Sequence, residues 1–366
     1  MPKLFGQQYS RDELLRKVGT VQQLGGVRQV ILSDGKATAS RAVEFSTGTG
    51  LRFTAVADRA LDICSATYRG ASLCWEAPCG VVHPAYYEPE GLGWLRSFFG
   101  GLLVTCGMTW IGAPHDDPEG GVEAHSGLGL HGRITHIPAE NLYVDGAWEG
   151  DEYTMWAQGK MRETMLFGPN LLLERRIWTR LGENRLWVDD KVTNEGFREQ
   201  EHMLMYHCNI GFPVADEHSE YLFPSDEVIP CTDIASEFVE EWNQFAPPNP
   251  DQEELCYYHR LRSNPDGTTY VAFVNRKFNR GEGLGIYFKF NTEQMPWLLQ
   301  WKMPGAQAYV TGIEPATGQG GNRPAERESG RLFTIAPQQS RNYNLEIGVL
   351  TNQTEIGEIE QIISSL

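Results

Sequence analysis

The sequence predicts an all-β protein: one large antiparallel β-sandwich preceded by a short N-terminal helix. Three observations predict it. From residue 27 onward, short runs alternate apolar and polar side chains, the period that buries one face of a strand and exposes the other. Thirty-nine glycines and twenty prolines break those runs, as many short strands joined by turns require. Strands do not alternate with helical stretches of roughly 10–15 residues, which a parallel α/β sheet would need.

The elements follow in order. Ser10 and Glu13 make a capping box ahead of Leu14, Leu15 and Val18, and Gly19 closes that helix. Strand texture then runs through 42–45, 51–56, 175–179, 186–189, 270–274 and 284–290, separated by turns rich in Gly, Asp and Asn. Residues 76–128 carry Pro78, Pro84, Pro89, Pro114 and Pro118 among aromatics and glycines, the composition of long ordered loops that shape a ligand site. Residues 232–256 are acidic and proline-rich and read as a solvated excursion, and residues 352–366 as a small terminal helix. The expected organisation is a helical segment over 1–24, a single β domain over 25–351 and a tail over 352–366.

Charge excludes partner classes. With 31 basic against 48 acidic side chains the net charge is −17, so no basic face exists at scale to neutralise nucleic-acid phosphates or an anionic membrane. No apolar run of about 18 residues marks a membrane span. The N-terminus lacks the apolar segment of a secretory signal, and seven cysteines without a C-x-x-C pair suit reduced thiols. A cytoplasmic protein is expected, with neither nucleic acid nor membrane as partner.

Four stretches carry the chemistry. Gly127-Leu128-Gly129-Leu130-His131-Gly132 satisfies G-x-G-x-x-G, but the chain after it reads as extended up to Pro138, so the helix that a dinucleotide site needs is missing. If residues 130–134 form a strand, His131 and Arg133 share a face, suited to a polar, oxygen-rich ligand. In 203–209, alternation puts Met203, Met205, His207 and Asn209 on one face and Leu204, Tyr206 and Cys208 on the other. In 309–315, Glu314 shares a face with Gly312, whose missing side chain lets a ligand approach the carboxylate.

The order of these motifs resembles the galactose mutarotase (aldose 1-epimerase) superfamily. The resemblance rests on Asp190-Lys191-Val192-Thr193-Asn194-Glu195-Gly196, then His207 with Asn209, then Glu314-Pro315, with His131-Gly132 earlier, and it spans roughly residues 40 to 350. Thr105-Cys106-Gly107 and Gly312-Ile313-Glu314-Pro315 are similar to signatures of an aldose 1-epimerase-like branch. The resemblance implies a large antiparallel β-supersandwich with a sugar on its concave face. It also implies His207 as general acid, Glu314 as general base and His131 as a substrate-binding histidine, acting without metal or other cofactor. The family's His-x-Tyr-Phe-Asn-Leu is replaced by His207-Cys208-Asn209-Ile210, and Arg133 stands where a glycine is usual.

Interconverting anomers means taking a proton from O1 while giving one to the ring oxygen, work for a carboxylate and an imidazole near neutral pH. Arg133, Arg59 and Lys302 lie near the motifs, where charge-assisted hydrogen bonds to a carboxylate or phosphate would select a sugar acid. Asn209 is expected to bind substrate or, with Tyr206, to fix the tautomer of His207. The expected ligand is therefore a free hexose or sugar acid. Two other readings stay open: a metal-dependent sugar isomerase using His125, His131, His136, His207 and Glu314, and a non-catalytic carbohydrate-binding protein with platforms such as Trp75, Trp94, Trp110 or Trp301.

Overall fold

The computed structural model describes residues 1–366. Its N-terminal helix, Arg11–Leu15, carries the expected capping box between Ser10 and Glu13 but ends a turn earlier than Gly19. Beyond it the chain is overwhelmingly antiparallel sheet. An eight-stranded sheet and a seven-stranded sheet form the two large layers, and a five-stranded sheet spans residues 26–72.

One contiguous cluster of buried apolar side chains joins all three sheets, with Ile177, Val188 and Phe288 from the eight-stranded sheet, Leu204, Cys208 and Ile313 from the seven-stranded one, and Phe53 and Ile63 from the five-stranded one. A buried ion network crosses the same interior. Arg175 contacts Asp190 at 2.6 Å and Asp62 at 2.9 Å, Tyr206 Oη donates to Asp190 at 2.7 Å, and Thr105 donates to Asp62 through both backbone and hydroxyl. Every charge has a partner, which a buried network requires. Because Tyr206 is tethered inward, its neighbour His207 must point to the other side of the Gln200–Gly211 strand.

That strand lies between Tyr309–Ala316 and Val104–Met108, and Tyr309–Ala316 pairs in turn with Trp297–Pro304. The alternation expected for 203–209 holds: Met203 and Met205 join a second apolar cluster with Trp94, Phe98 and Trp110, while Leu204, Tyr206 and Cys208 enter the main core. Residues 232–256 differ from a purely solvated excursion. They form a helix, Asp233–Glu237, and a 3-10 turn, Val239–Glu241, and Ala235 packs with Leu255 and Tyr257. The C-terminal helix Gln353–Ser364 is capped by Asn352 and buries Ile356, Ile359 and Ile363 against Ala272, Val274 and Leu350.

Three core histidines make the fold acid-sensitive. His202 is wholly buried, its Nδ1 2.8 Å from Met108 O and its Nε2 2.8 Å from Tyr343 Oη, and His259 is equally buried beside Ser225 and Gln300. Burial holds both down to about 4, and His207 down to about 3. Folded values below the ordinary 6.5 mean that the unfolded chain takes up protons first, so stability present above pH 6.5 is lost as pH falls toward 4. Each histidine removes about 2 kcal/mol by pH 5. The loss of urea midpoint between pH 7 and pH 5 should therefore be smaller in His202→Gln than in wild type, and an equal loss in the two would contradict this protonation scheme.

Candidate active site

Strand pairing brings the site together. Gly312 lies opposite both Asn209 and Trp301, and Glu314 lies opposite Leu299. His207 and Glu314 therefore emerge from neighbouring strands on one face, and His207 Nε2 stands 3.2 Å from Glu314 Oε1. Both are nearly sealed from solvent, 6% and 3% exposed. Gly312 makes this possible, because a Cβ there would collide with Glu314 Oε1 and stand 3.2 Å from Trp301 Cβ. Gly312→Ala should push the carboxyl out of place and lower turnover about 100-fold while the fold persists; unchanged turnover would show that the carboxyl's position is immaterial.

His131 arrives from a loop, not from the strand expected for 130–134. Its φ is +57° and a 3-10 turn, Ile134–His136, follows. His131 N donates to Gly112 O at 3.0 Å, and its own carbonyl accepts from Gly107 N at 2.9 Å, clamping the turn against the Val104–Met108 strand. Gly112 N–H also donates to His131 Nδ1 at 3.3 Å, so the neutral ring carries its hydrogen on Nε2. Burial holds this histidine near 4 and keeps it neutral. The His131 and His207 rings meet edge to face, 5.7 Å apart.

These three side chains line one cavity of about 450 Å³, within the range of small-molecule sites. Phe98 packs 5.3 Å from the His207 ring and Trp301 5.6 Å from it, and Trp94 lies 5.0 Å from His131. The loops of residues 76–128 supply Leu92, Trp94, Phe98 and Pro114 to the wall, as their composition suggests. Other depressions of about 460 and 490 Å³ lie on the five- and eight-stranded sheets, but neither contains a histidine.

Electrostatics set the protonation of the pair. Desolvation, and secondarily the His131 ring, lower His207, while desolvation, and secondarily the Glu254 charge, hold Glu314 well above the usual carboxylate range. Both shifts favour the uncharged forms, a neutral imidazole beside a protonated carboxyl.

Several expected site residues lie elsewhere. Arg59 is wholly buried, and its guanidinium donates to Thr135 O, Val82 O and Ser97 O at 2.6, 3.0 and 3.0 Å. It fastens loops and has no access to a ligand. Lys302 is 3% exposed and donates to Glu241 O at 2.9 Å; strand alternation turns it to the face opposite its neighbour Trp301. Arg133 is exposed, its guanidinium 5.8 Å from the Trp110 ring, while its neighbours Gly132 and Ile134 are buried. No lysine or arginine lines the cavity, which removes the basis for expecting an anionic sugar. Asn209 is buried behind His207 and binds backbone carbonyls in place of a ligand, while Tyr206 points into the opposite core.

The ligand set of the metal-isomerase reading does not converge. His136 stacks on Tyr87 at 3.7 Å and lies 2.7 Å from Ser97 Oγ, and His125 is exposed on its loop. Sequence reasoning missed Glu254, Cys256 and Tyr258, which line the cavity. Their signal was an alternation at 254, 256 and 258, obscured by the acidic run before it. Glu254 Oε2 accepts from Trp301 Nε1–H at 2.9 Å, so the indole fixes a carboxylate at the cavity rim.

Residues 37–349 match the family described as a domain of unknown function, DUF4432. The chain belongs to that family. No curated protein matches the sequence. Among solved structures, a candidate aldose 1-epimerase from Klebsiella pneumoniae subsp. pneumoniae is 25% identical, with a TM-score of 0.87 over 94% of this chain and 90% of that one. A galactose mutarotase-like protein from Clostridium acetobutylicum is 11% identical, with a TM-score of 0.60 over 90% and 99% of the two chains. Galactose 1-epimerase from Lactobacillus acidophilus is 12% identical, with a TM-score of 0.58 over 90% and 100%. This DUF4432 chain thus has the galactose mutarotase-like sandwich fold, and its resemblance to that superfamily holds at the level of structure.

Proposed function

We propose that the protein is an aldose 1-epimerase-like isomerase that interconverts the anomers of a neutral free sugar. The observation that carries this reading is the convergence of His207, Glu314 and His131 on one aromatic-walled cavity. O1 and O5 of a cyclic sugar are both bonded to C1, so an adjacent acid and base can serve both at once. One member of the pair takes the O1 proton while the other protonates O5. The C1–O5 bond breaks, the aldehyde end rotates, and ring closure on the other face returns both protons. The pair ends as it began, so no net acid, base or cofactor is consumed. His131 Nε2–H donates to a sugar oxygen, and Trp94 or Trp301 packs against the sugar's C–H face.

Substrate charge follows from the wall. Glu254 and Glu314 line it and no cation does, so a sugar acid or sugar phosphate would meet carboxyl groups without a counter-charge. Freshly dissolved, anomerically pure neutral hexoses and pentoses, uronic acids and sugar phosphates should be followed by polarimetry. At least one neutral sugar should equilibrate faster than the buffer blank and the anionic ones should not. Acceleration confined to anionic sugars would contradict the charge argument, and binding without acceleration would favour a non-catalytic carbohydrate-binding protein.

A further inference from the structure

His131 has no strand of its own to hold it. Its place is set by residues 107–112, the end of the Val104–Met108 strand and the bend after it. Gly107 N–H donates to His131 O at 2.9 Å, His131 N–H to Gly112 O at 3.0 Å, Gly112 N–H to His131 Nδ1 at 3.3 Å, and Arg133 N–H to Gly107 O at 3.1 Å. The two segments pack closely, since a Cβ on Gly132 would collide with Gly107 O. Thr109, within 107–112, is wholly buried, and its hydroxyl lies between two carboxyl groups, 2.7 Å from Glu123 Oε1 and 3.4 Å from Glu163 Oε1.

A hydroxyl has one hydrogen and can donate it to only one of two carboxylates. Glu123 is ion-paired: its Oε2 accepts from Arg323 Nη1–H at 2.7 Å, and Arg323 Nε–H donates to Asp117 at 2.7 Å. Glu163 has no ion pair. It is 4% exposed, and its Oε2 has no partner, a state far more costly for a buried carboxylate than for the carbonyl oxygen of a neutral acid. The chain of groups is satisfied when Glu163 carries its hydrogen on Oε1 and donates it to Thr109 Oγ1, whose own hydrogen goes to Glu123. Burial, and secondarily the Glu123 charge, push Glu163 up to about 8 against a smaller opposing pull from Arg133. Tyr87, which burial pushes up to about 12 and which also senses Arg133 and Glu163, stays neutral through that range.

We propose that Glu163 is a positioning residue: as a neutral acid it completes the Glu163–Thr109–Glu123 chain that holds residues 107–112, and its ionisation releases them and displaces His131. The effect on turnover rests on the isomerase reading above, to which it adds an alkaline limit on sugar binding. Once Glu163 is ionised, two carboxylates face one hydroxyl. Thr109 keeps donating to the ion-paired Glu123, Glu163 is left with neither hydrogen nor donor and moves toward the exposed Arg133, and Thr109 loses its hold on that side.

The test follows the His131 ring Cε1–H signal by NMR on the full chain from pH 6 to pH 10, the signal being assigned by its loss in His131→Gln. His131 is itself held near 4 and does not titrate in this window, so its signal should shift in a step centred near pH 8. The step should be missing in Glu163→Gln, whose amide donates to Thr109 at every pH, and should move to lower pH in Glu123→Gln, which lacks the charge opposing ionisation. No step in wild type, or an equal step in Glu163→Gln, overturns the proposal; an equal step is what ionisation of Glu314 alone would give. If Glu163→Gln does not fold, Glu123→Gln decides: a step that stays in place overturns the proposal and one that moves down supports it. In turnover, KM for an accelerated sugar should rise about tenfold across the step in wild type and by less in Glu163→Gln. A His131 step with no accelerated sugar would support the clamp and sink the isomerase reading, whereas accelerated sugars with no His131 step would sink the clamp alone.

Discussion

Replacing Glu314 by glutamine should lower anomer interconversion by about 10²- to 10⁴-fold, the range supplied by one general acid–base group, and should make the protein more stable. Glu314 is buried with its carboxyl held well above the usual range, desolvation being the main cause. In the unfolded chain the same group ionises near pH 4.5, so above that pH folding must drive a proton back onto it. That cost is absent below pH 4.5, grows as pH rises toward the folded value and then levels off. Glutamine occupies the same space with no charge to suppress. The melting temperature of Glu314→Gln should therefore exceed that of wild type at pH 7, by a margin that widens as pH rises above 4.5. A variant that is less stable at every pH would show that the carboxyl's contact with His207 outweighs the cost of protonating it.

Arg59→Met should be the most damaging change outside the cavity. The guanidinium is wholly buried, fastens Val82, Ser97 and Thr135 through their carbonyls and lies 4.9 Å from the Phe99 ring. Methionine fills much of the volume but leaves those acceptors without donors, a loss of about 4 kcal/mol. Because the fastened loops carry Trp94 and Phe98, the cavity wall should loosen with them. Urea titration reads the stability loss, and limited proteolysis should show new cleavage between residues 80 and 100. Arg59→Lys should not rescue, since one ammonium cannot reach three carbonyls in different directions. A full rescue by lysine would mean that only the charge matters at this position.

What the sequence conveys, and what it conceals, follows from the range of each signal. Strand alternation is local, so the faces of 203–209 are readable, and His207 and Glu314 come out on the side that forms the cavity. Their meeting depends on register, with Gly312 opposite Asn209 and Trp301; the resemblance carried that information and periodicity alone could not. His131 was recognised as a residue but misplaced as an element, because a positive φ and a single 3-10 turn leave no periodic trace. The cations misled for a different reason. Arg59 and Lys302 stand next to motif residues along the chain, but both are turned inward to backbone carbonyls contributed by segments remote in sequence. Glu254 was hidden in an acidic run whose first part is exposed and whose last residues enter a strand.

The most direct measurement is NMR exchange between the α and β anomers of neutral hexoses at equilibrium, with wild type compared with His207→Ala at pH 7. At least one hexose should exchange faster with wild type than in buffer, and the acceleration should vanish with His207→Ala while the variant's spectrum remains that of a folded protein. No acceleration for any neutral sugar, or full acceleration retained by His207→Ala, would contradict the assignment of this cavity as an anomer-interconverting site.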